Sequence, residues 1–430
     1  MVFMPHWPHP LGSRRIDLGL ERVKDLLHAL GNPHHQLKNV IHVAGTNGKG
    51  STIAFLRYII SKSGLSVNTY ISPHLMRFNE RILLNQEEIS DEFLFEVCEE
   101  VRIAAEKAGI EPTFFEGTTV AALVAFAKKP ADYLILETGM GGRLDATNIF
   151  DSPILTIITT IGLDHQSFLG DTIAQIAYEK AGILKKNVPS VVANQDPDAF
   201  AVISHVAQKL QSPCFACEYD WIADLDDQGV LEYKNRNLTI SNLEPGLLGL
   251  HQFVNLGNAI TAALMLNDSK ITADTIRQGV AATRWMARLQ KLLNGKLVSE
   301  LGNKHQIWVD GAHNTLGMHV LSLWIEDQNL PIYLLVGITN GRNIEEIMMP
   351  VLNKVEFVAG CNVHSEPNSY SGEKVSERCS KIGFNSIGFY TTREAFDHIF
   401  EKFPPGIILA CGSLYLAGEI LLENQYRREN

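Results

Sequence analysis

Residues 41–52 read Ile41-His42-Val43-Ala44-Gly45-Thr46-Asn47-Gly48-Lys49-Gly50-Ser51-Thr52. An apolar run ends at Gly45, small polar residues follow, and a helical pattern begins at Thr52. This order predicts a strand, a phosphate-binding loop and the N-terminus of a helix. Glycines let such a loop turn tightly and approach a polyphosphate, and the positive end of the helix dipole adds to the attraction.

The loop departs from the common Walker A pattern. Val43 stands where the first glycine is expected, and Gly50 separates Lys49 from Ser51. We still interpret residues 45–51 as a nucleotide-binding loop, with Lys49 at the distal phosphates and the Ser51 hydroxyl on a magnesium ion. The alternative is a glycine-rich turn that only packs, and Gly-Lys-Gly-Ser after an apolar strand makes that the weaker interpretation.

Composition and charge exclude several function classes. The 430 residues carry 37 Lys and Arg against 48 Asp and Glu, a formal net charge of −11. This balance argues against a protein that binds nucleic acid through its phosphates. No apolar run approaches the roughly 20 residues of a membrane span, and the N-terminus lacks the pattern of a signal peptide. We therefore expect a cytoplasmic protein, and we interpret its six cysteines as unpaired thiols.

Apolar runs alternate with helical patterns along the first half of the chain. This alternation predicts an α/β fold with a mostly parallel, doubly wound sheet, on which ligands gather at the carboxyl ends of strands. The predicted strands are Val40–Ala44, Val67–Ile71, Tyr133–Leu136, Ile154–Thr160 and Val188–Ala193, and the predicted helices are 52–63, 91–109, 117–128 and 171–184.

Residues 218–250 are rich in Asp, Asn and Gly, with alternating segments near Leu231–Tyr233 and Leu238–Ile240. We interpret this stretch as a small β-hairpin elaboration on the first domain. From Gln306 the α/β alternation restarts, which predicts a second, smaller, Rossmann-like domain. We expect a P-loop domain of residues 1–287 and a C-terminal domain of residues 288–430.

Polar residues follow several of the predicted strands. Glu137 ends one of them, and a carboxylate beside a phosphate site suits a magnesium ion. His165 follows another strand; a lone histidine is more often structural, although this position favours a role in the site. The spacing around Lys180 indicates a solvated helix residue. In the C-terminal domain, Asp310 and His313 share one turn, and with Arg288 they would close over a nucleotide held by the first domain.

These motifs resemble one family, the folylpolyglutamate synthases and dihydrofolate synthases of the Mur ligase superfamily. The resemblance covers nearly the whole chain. It rests on the segments 42–51, Ser72-Pro73-His74-Leu75, Phe78-Asn79-Glu80-Arg81-Ile82, 136–148, Leu163-Asp164-His165, 179–183, Asp310-Gly311-Ala312-His313-Asn314 and Gly412-Ser413-Leu414-Tyr415.

The resemblance implies roles that spacing alone does not assign. The implied magnesium ligands are Ser51, Ser72, Glu137, His165 and, once carbamylated, Lys180. The implied nucleotide contacts outside the loop are Asn255, Arg288, Asp310 and His313. The positions that would hold a pterin-bearing substrate are Thr113, Phe115, Asp145 and Ala146. The implied catalytic residues are Lys49, Lys180 and His165.

Some positions depart from the family pattern. Ala287 stands where a glycine usually precedes Arg288, and Thr315 replaces a usual proline. Residues 340–343 read Asn-Gly-Arg-Asn where members often carry Asp-Lys-Asp. A role of that acidic loop in positioning the domains or the amino acid is therefore open for this chain.

The implied activity is an ATP-dependent amide ligase that joins L-glutamate to dihydropteroate, to reduced folates or to both, through an acyl phosphate. Its expected partners are these small molecules and Mg²⁺, without nucleic acid or membrane, and the expected state is a monomer. Thr113, Phe115 and Asp145 favour a bifunctional enzyme.

Two alternatives remain open. A peptidoglycan Mur ligase shares the chemistry, but it carries a further domain before the loop, whereas 44 residues precede Gly45 here. A non-catalytic nucleotide-binding protein is the other alternative. The complete set of Ser51, Glu137, His165 and Lys180 argues against it, because a degenerate site would be expected to lose ligands.

Overall fold

The computed structural model describes residues 17–300 and 304–425. The N-terminal residues used in the signal-peptide argument lie outside these ranges. The chain divides into two compact units. The first contains the described residues up to Gly246 together with Gln252–Arg284, and the second contains Leu247–His251 and the described residues from Trp285 onward.

The first unit is built on an eight-stranded sheet in the order β4-β3-β2-β5-β1-β6-β7-β8. In this spatial order, each pair of neighbouring strands from β2 across to β8 is parallel. The pairs β2–β3 and β3–β4 at the other edge are antiparallel. The strands are β1 Val40–Ala44, β2 Val67–Tyr70, β3 Ile82–Leu84, β4 Glu87–Glu88, β5 Tyr133–Glu137, β6 Leu155–Ile158, β7 Ser190–Val192 and β8 Cys214–Ala216.

Helices cover this sheet, and the central strands are buried along their whole length. All five residues of β1 are buried, as expected for a parallel strand covered on both faces. The helices are α1 Glu21–Ala29, α2 Lys49–Lys62, α3 Asp91–Ala108, α4 Phe114–Lys128, α5 Gln166–Leu169, α6 Ile173–Ala181, α7 Pro197–Leu210, α8 His251–Met265 and α9 Ala273–Ala282, with 3₁₀ turns at Pro33–Gln36 and Phe78–Arg81.

The elaboration after β8 has one strand more than a hairpin. β9 Trp221–Leu225, β10 Leu231–Asn235 and β11 Thr239–Ile240 form an antiparallel three-stranded sheet. The sequence prediction missed β9 because its outward positions are not uniformly polar. Ile222 and Leu225 are both exposed, which obscures the alternation that would otherwise indicate a half-buried strand.

The second unit has a six-stranded sheet in the order β12-β13-β17-β14-β15-β16, parallel except for β12. The strands are β12 Gln290–Lys291, β13 Gln306–Val309, β14 Ile332–Val336, β15 Phe357–Cys361, β16 Ser386–Phe389 and β17 Ile407–Cys411. The helices are α10 Lys296–Glu300, α11 Thr315–Glu326, α12 Ile344–Met348, α13 Gly372–Lys381, α14 Thr392–Lys402 and α15 Leu414–Glu423, with a 3₁₀ turn at Met349–Val351.

The prediction of an α/β fold with mostly parallel sheets is confirmed. In the first sheet β1 lies between β5 and β6, so the loops after these three strands meet at one edge. No helix in the described part of the chain is long and apolar enough to cross a membrane.

Candidate functional site

The loop after β1 has a backbone that only glycine accommodates at two positions. Gly48 caps α2 in the left-handed region with φ 86°, and Gly45 has φ 150°. A Cβ on Gly45 would lie 1.8 Å from Thr159 Oγ1, and a Cβ on Gly48 would lie 2.3 Å from Asn255 Oδ1. The loop is therefore packed tightly between the end of β6 and helix α8.

The first half of the loop is fixed to the segment after β6. The N–H groups of Thr46 and Asn47 donate to the Thr160 carbonyl at 3.0 and 3.1 Å. The Thr46 hydroxyl donates to the Gly162 carbonyl and accepts from the Gly162 N–H, both at 3.1 Å. The backbone donors of Thr46 and Asn47 are thus used inside the protein. The N–H groups of Lys49, Gly50 and Ser51, at the start of α2, lack intrahelical acceptors and suit an anion.

Two lysines converge on the Gly45 carbonyl. Lys180 Nζ donates to this oxygen at 2.8 Å, and Lys49 Nζ donates to it at 3.1 Å and to the Thr46 carbonyl at 3.2 Å. Lys180 is only 4% exposed, so the interpretation as a solvated helix residue is wrong. Burial, and secondly the charge of Lys49, lower the pKa of Lys180 to about 7.

A carboxylate and the start of another loop meet at the end of β5. Glu137, the last residue of β5, accepts the Ser72 N–H at 2.9 Å and is buried. Ser51 lies buried in the first turn of α2. The oxygens of Glu137, Ser51 and Ser72 are the hard donors that Mg²⁺ prefers. The structure therefore brings Ser72 and Glu137 together, and their oxygen atoms are ligands that fit Mg²⁺.

His165 occupies a more open position. It precedes α5 with φ 51°, its side chain is 38% exposed, and its Nε2 lies 3.9 Å from Asp164 Oδ2. In residues 17–300 and 304–425 no group of three or more His, Cys, Asp or Glu side chains could hold a metal ion. Mg²⁺ sites in nucleotide enzymes use one or two carboxylates together with substrate phosphates, so Glu137 remains compatible with such a site.

Asp145 organises the loop that follows β5. Its Oδ2 accepts the Met140 N–H at 2.8 Å, and its Oδ1 accepts the Thr147 hydroxyl at 2.5 Å and the Thr147 N–H at 3.0 Å. Because the Thr147 hydroxyl donates to Asp145, it accepts from His42 Nε2, 2.8 Å away. Burial raises the pKa of Asp145 and lowers that of His42 to about 3. Asp145 and the neighbouring Ala146 are both buried.

Phe115 packs against the start of the same loop. A Cβ on Gly139 would lie 2.3 Å from Phe115 Cζ, and the Phe115 ring centroid is 6.1 Å from that of Tyr70. Thr113 caps α4 by accepting the Glu116 N–H at 3.3 Å, while Glu116 accepts the Thr113 N–H at 2.6 Å. The structure thus brings Phe115 and the Asp145 loop into contact and places Thr113 at the adjoining helix start.

The loop after β2 contains buried charges that the sequence did not reveal. The Glu80 carboxylate accepts the N–H groups of Leu75, Met76 and Arg77 at 2.8 to 3.0 Å. Arg81 is 6% exposed and donates through Nε to His74 Nδ1 at 2.9 Å. Glu80 and Arg81 belong to the family motif Phe78-Asn79-Glu80-Arg81-Ile82, but no periodicity in the sequence indicates that they are buried.

Asn255 lies beside the phosphate loop. Its Oδ1 faces Gly48, and its Nδ2 donates to Gln252 Oε1 at 2.9 Å. Both side chains are buried on α8. The amide is therefore held in one orientation at the start of α2.

The three predicted nucleotide contacts of the second unit lie around one turn. The Asp310 carboxylate accepts the N–H groups of Leu289 at 2.8 Å and Ala312 at 2.7 Å, and His313 Nδ1 lies 2.7 Å from the Gly311 carbonyl. Burial raises the pKa of Asp310, and the charge of Arg288 opposes this shift. The Arg288 guanidinium would lie 2.6 Å from a Cβ on Gly311.

Two of the departures from the family pattern have structural consequences here. Ala287, which stands in place of a glycine, is buried with φ 54°, a region where glycine is favoured. In the divergent 340–343 loop, Arg342 Nη1 donates to the His313 carbonyl at 2.9 Å. This loop therefore supports the turn that carries His313.

Comparison with known proteins places this geometry in a family context. The family model of the Mur ligase middle domain matches residues 43–263. A dihydrofolate synthase/folylpolyglutamate synthase of Bacillus subtilis is 36% identical over 330 residues, covering 74% of each chain. A probable dihydrofolate synthetase of Schizosaccharomyces pombe is 32% identical over 422 residues, covering 94% of this chain and 98% of that protein.

A solved structure gives the same picture. The structure of E. coli FolC in complex with DHPP and ADP superimposes with a TM-score of 0.86 at 28% sequence identity. It covers 97% of this chain and 96% of that chain. The likeness therefore extends over both units.

Proposed function

The chain belongs to the dihydrofolate synthase and folylpolyglutamate synthase family and is an ATP-dependent ligase, and we propose that it adds L-glutamate to both dihydropteroate and reduced folates. The observation that carries the proposal is the set of side chains that the structure places around the phosphate loop. Lys49 and Lys180 meet on the Gly45 carbonyl, and the Asp145 loop with Phe115 begins at the end of the adjacent strand β5.

The phosphate loop supplies the nucleotide end of the proposed site. ATP would take its phosphates at the first turn of α2, where Lys49 exchanges loop carbonyls for phosphate oxygens as acceptors. Ser51, Ser72, Glu137 and His165 would hold Mg²⁺, which when bound stabilises negative charge on the transferring phosphoryl group. The positive charge of Lys49 adds to this stabilisation without any rearrangement of the fold.

Lys180 has the properties that carbamylation requires. An amine must be neutral to attack CO₂, and burial beside Lys49 lowers the pKa of Lys180 to about 7. A carbamate would convert this buried cation into an anion next to the ammonium of Lys49. We propose that the modified side chain completes the oxygen ligands around the metal.

The reaction follows from the chemistry of the substrates. A carboxylate has no usable leaving group, so its oxygen first attacks the γ-phosphorus of ATP and ADP leaves. The resulting acyl phosphate is attacked by the amine of glutamate, which loses a proton, and phosphate departs as the amide forms. Water must be excluded while the acyl phosphate exists, because hydrolysis would waste it. Arg288, Asp310 and His313 are proposed to contact the nucleotide from the second unit.

The acceptor pocket is proposed to lie along the Asp145 loop. Phe115 offers an aromatic face there, and the Asp145 carboxylate, which accepts from Met140 and Thr147, fixes the loop against which a pterin ring would lie. Thr113 and Ala146 border the same region. A pterin is common to dihydropteroate and reduced folates, and a pocket that recognises it would accept both.

The decisive experiment is phosphate release from MgATP and L-glutamate, with 7,8-dihydropteroate and tetrahydrofolate supplied in separate reactions. Release with both acceptors supports the bifunctional enzyme, and release with one assigns a single activity. Binding of ATP without release in either reaction would favour a non-catalytic nucleotide-binding protein. The names of the similar proteins refer to folate synthesis, which argues against the alternative of a peptidoglycan ligase. Cytoplasmic location and a monomeric state stay predictions.

A further inference from the structure

Arg81 is a nearly buried cation flanked by aromatic rings. It ends the 3₁₀ turn Phe78–Arg81, and only 6% of its surface is exposed. Its Cζ atom lies 5.5 Å from the ring centroids of both Phe78 and Phe114. Its Nε donates to His74 Nδ1 at 2.9 Å. The rings and the imidazole hold the guanidinium in place without neutralising its charge.

The part of the chain that the structure describes supplies no counterion to Arg81. The nearest carboxylate in sequence, Glu80, is occupied by the N–H groups of Leu75, Met76 and Arg77. Asp91 accepts from Arg77 and Asn79 instead. In residues 17–300 and 304–425 the side-chain hydrogen bond of Arg81 is the one from Nε, so its Nη donors have no partner there. The Nη atoms themselves are not fully buried, so a ligand can reach them. Cation–π contacts offset only part of the cost of burying the rest of this cation.

The surroundings of Arg81 connect the two ends of the proposed site. His74 stands two residues after Ser72, whose N–H meets Glu137 at the end of β5. Phe114 stands between Thr113 and Phe115, which contacts Gly139 at the start of the Asp145 loop. Arg81 therefore contacts one segment next to the proposed metal ligands and another next to the proposed pterin pocket.

We propose that the Arg81 guanidinium binds the reacting carboxylate of the acceptor and positions it for attack on the γ-phosphorus. The proposal rests on the proposed function, since it concerns the same acceptor. A guanidinium presents two parallel N–H donors that match a carboxylate, and its charge reduces the repulsion between that carboxylate and ATP. The flanking rings of Phe78 and Phe114 suit an aromatic carboxylic acid rather than a phosphate.

The test compares two ligands that differ only in charge at the reacting group. 7,8-Dihydropteroate and its carboxamide analogue are titrated into wild type, Arg81→Gln and Arg77→Gln, with ligand fluorescence as the readout and no turnover required. A charge-assisted hydrogen bond predicts that wild type binds the acid about 10- to 100-fold more tightly than the amide. Arg81→Gln should lose most of this preference while binding the amide as wild type does.

Arg77→Gln is the matched control, because it removes a positive charge from the same loop at a side chain that is 56% exposed. It should keep the wild-type preference for the acid. Arg81→Lys keeps the positive charge but lacks the two parallel N–H donors, so its preference for the acid over the amide should be intermediate. Affinity for an ATP analogue should stay unchanged in all variants, which also reports that the first unit is folded.

Several outcomes would overturn the inference. Equal binding of acid and amide by wild type would do so without any variant, even if Arg81→Gln failed to fold. An Arg81→Gln protein that weakens the acid and the amide by the same factor would show a merely structural role. Loss of ATP-analogue binding alone would assign Arg81 to the phosphates. If wild type bound neither pterin ligand, the proposed function itself would fail, which is a distinct result.

Discussion

The ammonium of Lys180 lies 2.8 Å from the carbonyl oxygen of Gly45, a residue 135 positions earlier in the chain. This hydrogen bond ties the last turn of α6 to the phosphate loop. Lys49 shares the same acceptor at 3.1 Å, so two lysines stand side by side in a largely buried place. Burial, and secondly the charge of Lys49, favour a neutral amine on Lys180.

We expect Lys180→Ala to lower turnover by about 100-fold or more, as removal of one preorganised charge-stabilising group does. If a carbamate on Lys180 acts as a carboxylate, added formate or acetate should restore part of the activity of Lys180→Ala. Steady-state phosphate release with and without these acids measures the effect. Lys186→Ala, at an exposed position five residues beyond α6, is the control and should match wild type. The absence of any rescue would contradict the carbamate.

Lys49→Ala should remove nearly all turnover while the fold stays intact, because the hydrogen bonds that this side chain makes to described residues go to two loop carbonyl oxygens. A loss of about 100- to 1,000-fold is expected from removing one positive group at the transferring phosphoryl. Turnover and the thermal unfolding midpoint should be measured together. Lys62→Ala, at the exposed end of the same helix, serves as the control. Near-normal activity of Lys49→Ala would refute its assignment.

Gly48→Ala and Gly64→Ala separate backbone strain from a clash. Both glycines have positive φ, 86° and 72°, so an alanine at either costs about 1–2 kcal/mol of conformational energy. Only at Gly48 would the new Cβ meet Asn255, at 2.3 Å from its Oδ1, while Gly64 has open space. ATP affinity by calorimetry should fall more than about tenfold in Gly48→Ala and stay at the wild-type value in Gly64→Ala. Equal affinities in the two variants would argue that the Asn255 contact does not shape the loop.

His42 should make the protein less stable in acid. Its pKa is about 3 in the folded state, chiefly through burial, and about 6.5 in the unfolded chain. Between these values the unfolded state binds a proton that the folded state does not, so stability is lost as pH falls from about 6.5 towards 3. The loss is about 1.4 kcal/mol per pH unit, or roughly 2 kcal/mol at pH 5.

The measurement for His42 is urea unfolding of wild type and His42→Gln at pH 7 and pH 5. Glutamine keeps an N–H donor for the Thr147 hydroxyl but takes up no proton, so the variant should lose roughly 2 kcal/mol less than wild type over this interval. His28→Gln, at an exposed histidine of α1, provides the comparison. An identical pH response of His42→Gln and wild type would disprove the linkage.

Asp145→Asn should weaken the acceptor site without affecting ATP. The carboxylate accepts from Met140 and twice from Thr147, and an amide offers only one acceptor oxygen for these donors. We expect a loss of about 1–3 kcal/mol in stability and an increase of about tenfold in the KM for dihydropteroate. The KM for ATP should not change. Asp151→Asn, at an exposed position after the same loop, should leave both constants as in wild type; an increase in the KM for ATP alone would contradict the assignment.

The inner strands of the parallel sheets could be predicted from the sequence because burial on both faces makes them nearly continuous apolar runs. The short edge strand β8, Cys214–Ala216, was not predicted. Val40–Ala44 is an example in which prediction and structure agree residue for residue. Helix starts were harder to place. The helix predicted from residue 52 begins at Lys49, because Gly48-Lys49-Gly50 reads as loop but forms the first turn. The helix predicted from 117 begins at Phe114, where a capping box between Thr113 and Glu116 adds a turn.

The burial of several charged side chains could not be predicted from the sequence pattern. Lys180 has the spacing of a surface position on its helix, and only the tertiary structure shows that it points at Gly45. Arg81 and Glu80 lie in a short 3₁₀ turn, which is too brief to carry a periodic pattern. The roles of the candidate site residues stay predictions, although the structure brings Ser72 to Glu137 and Phe115 to the Asp145 loop.

The three amides that converge on Glu80 also bear on the thermodynamics of recognition. Because Leu75, Met76 and Arg77 are fixed by one buried carboxylate, the loop that carries His74 towards Arg81 is ordered before any ligand arrives. Immobilising a flexible side chain on binding costs about 0.5–1.5 kcal/mol, and here that conformational entropy is already lost when the chain folds. A carboxylate ligand would therefore meet a preorganised guanidinium, and more of its intrinsic interaction energy would remain as affinity.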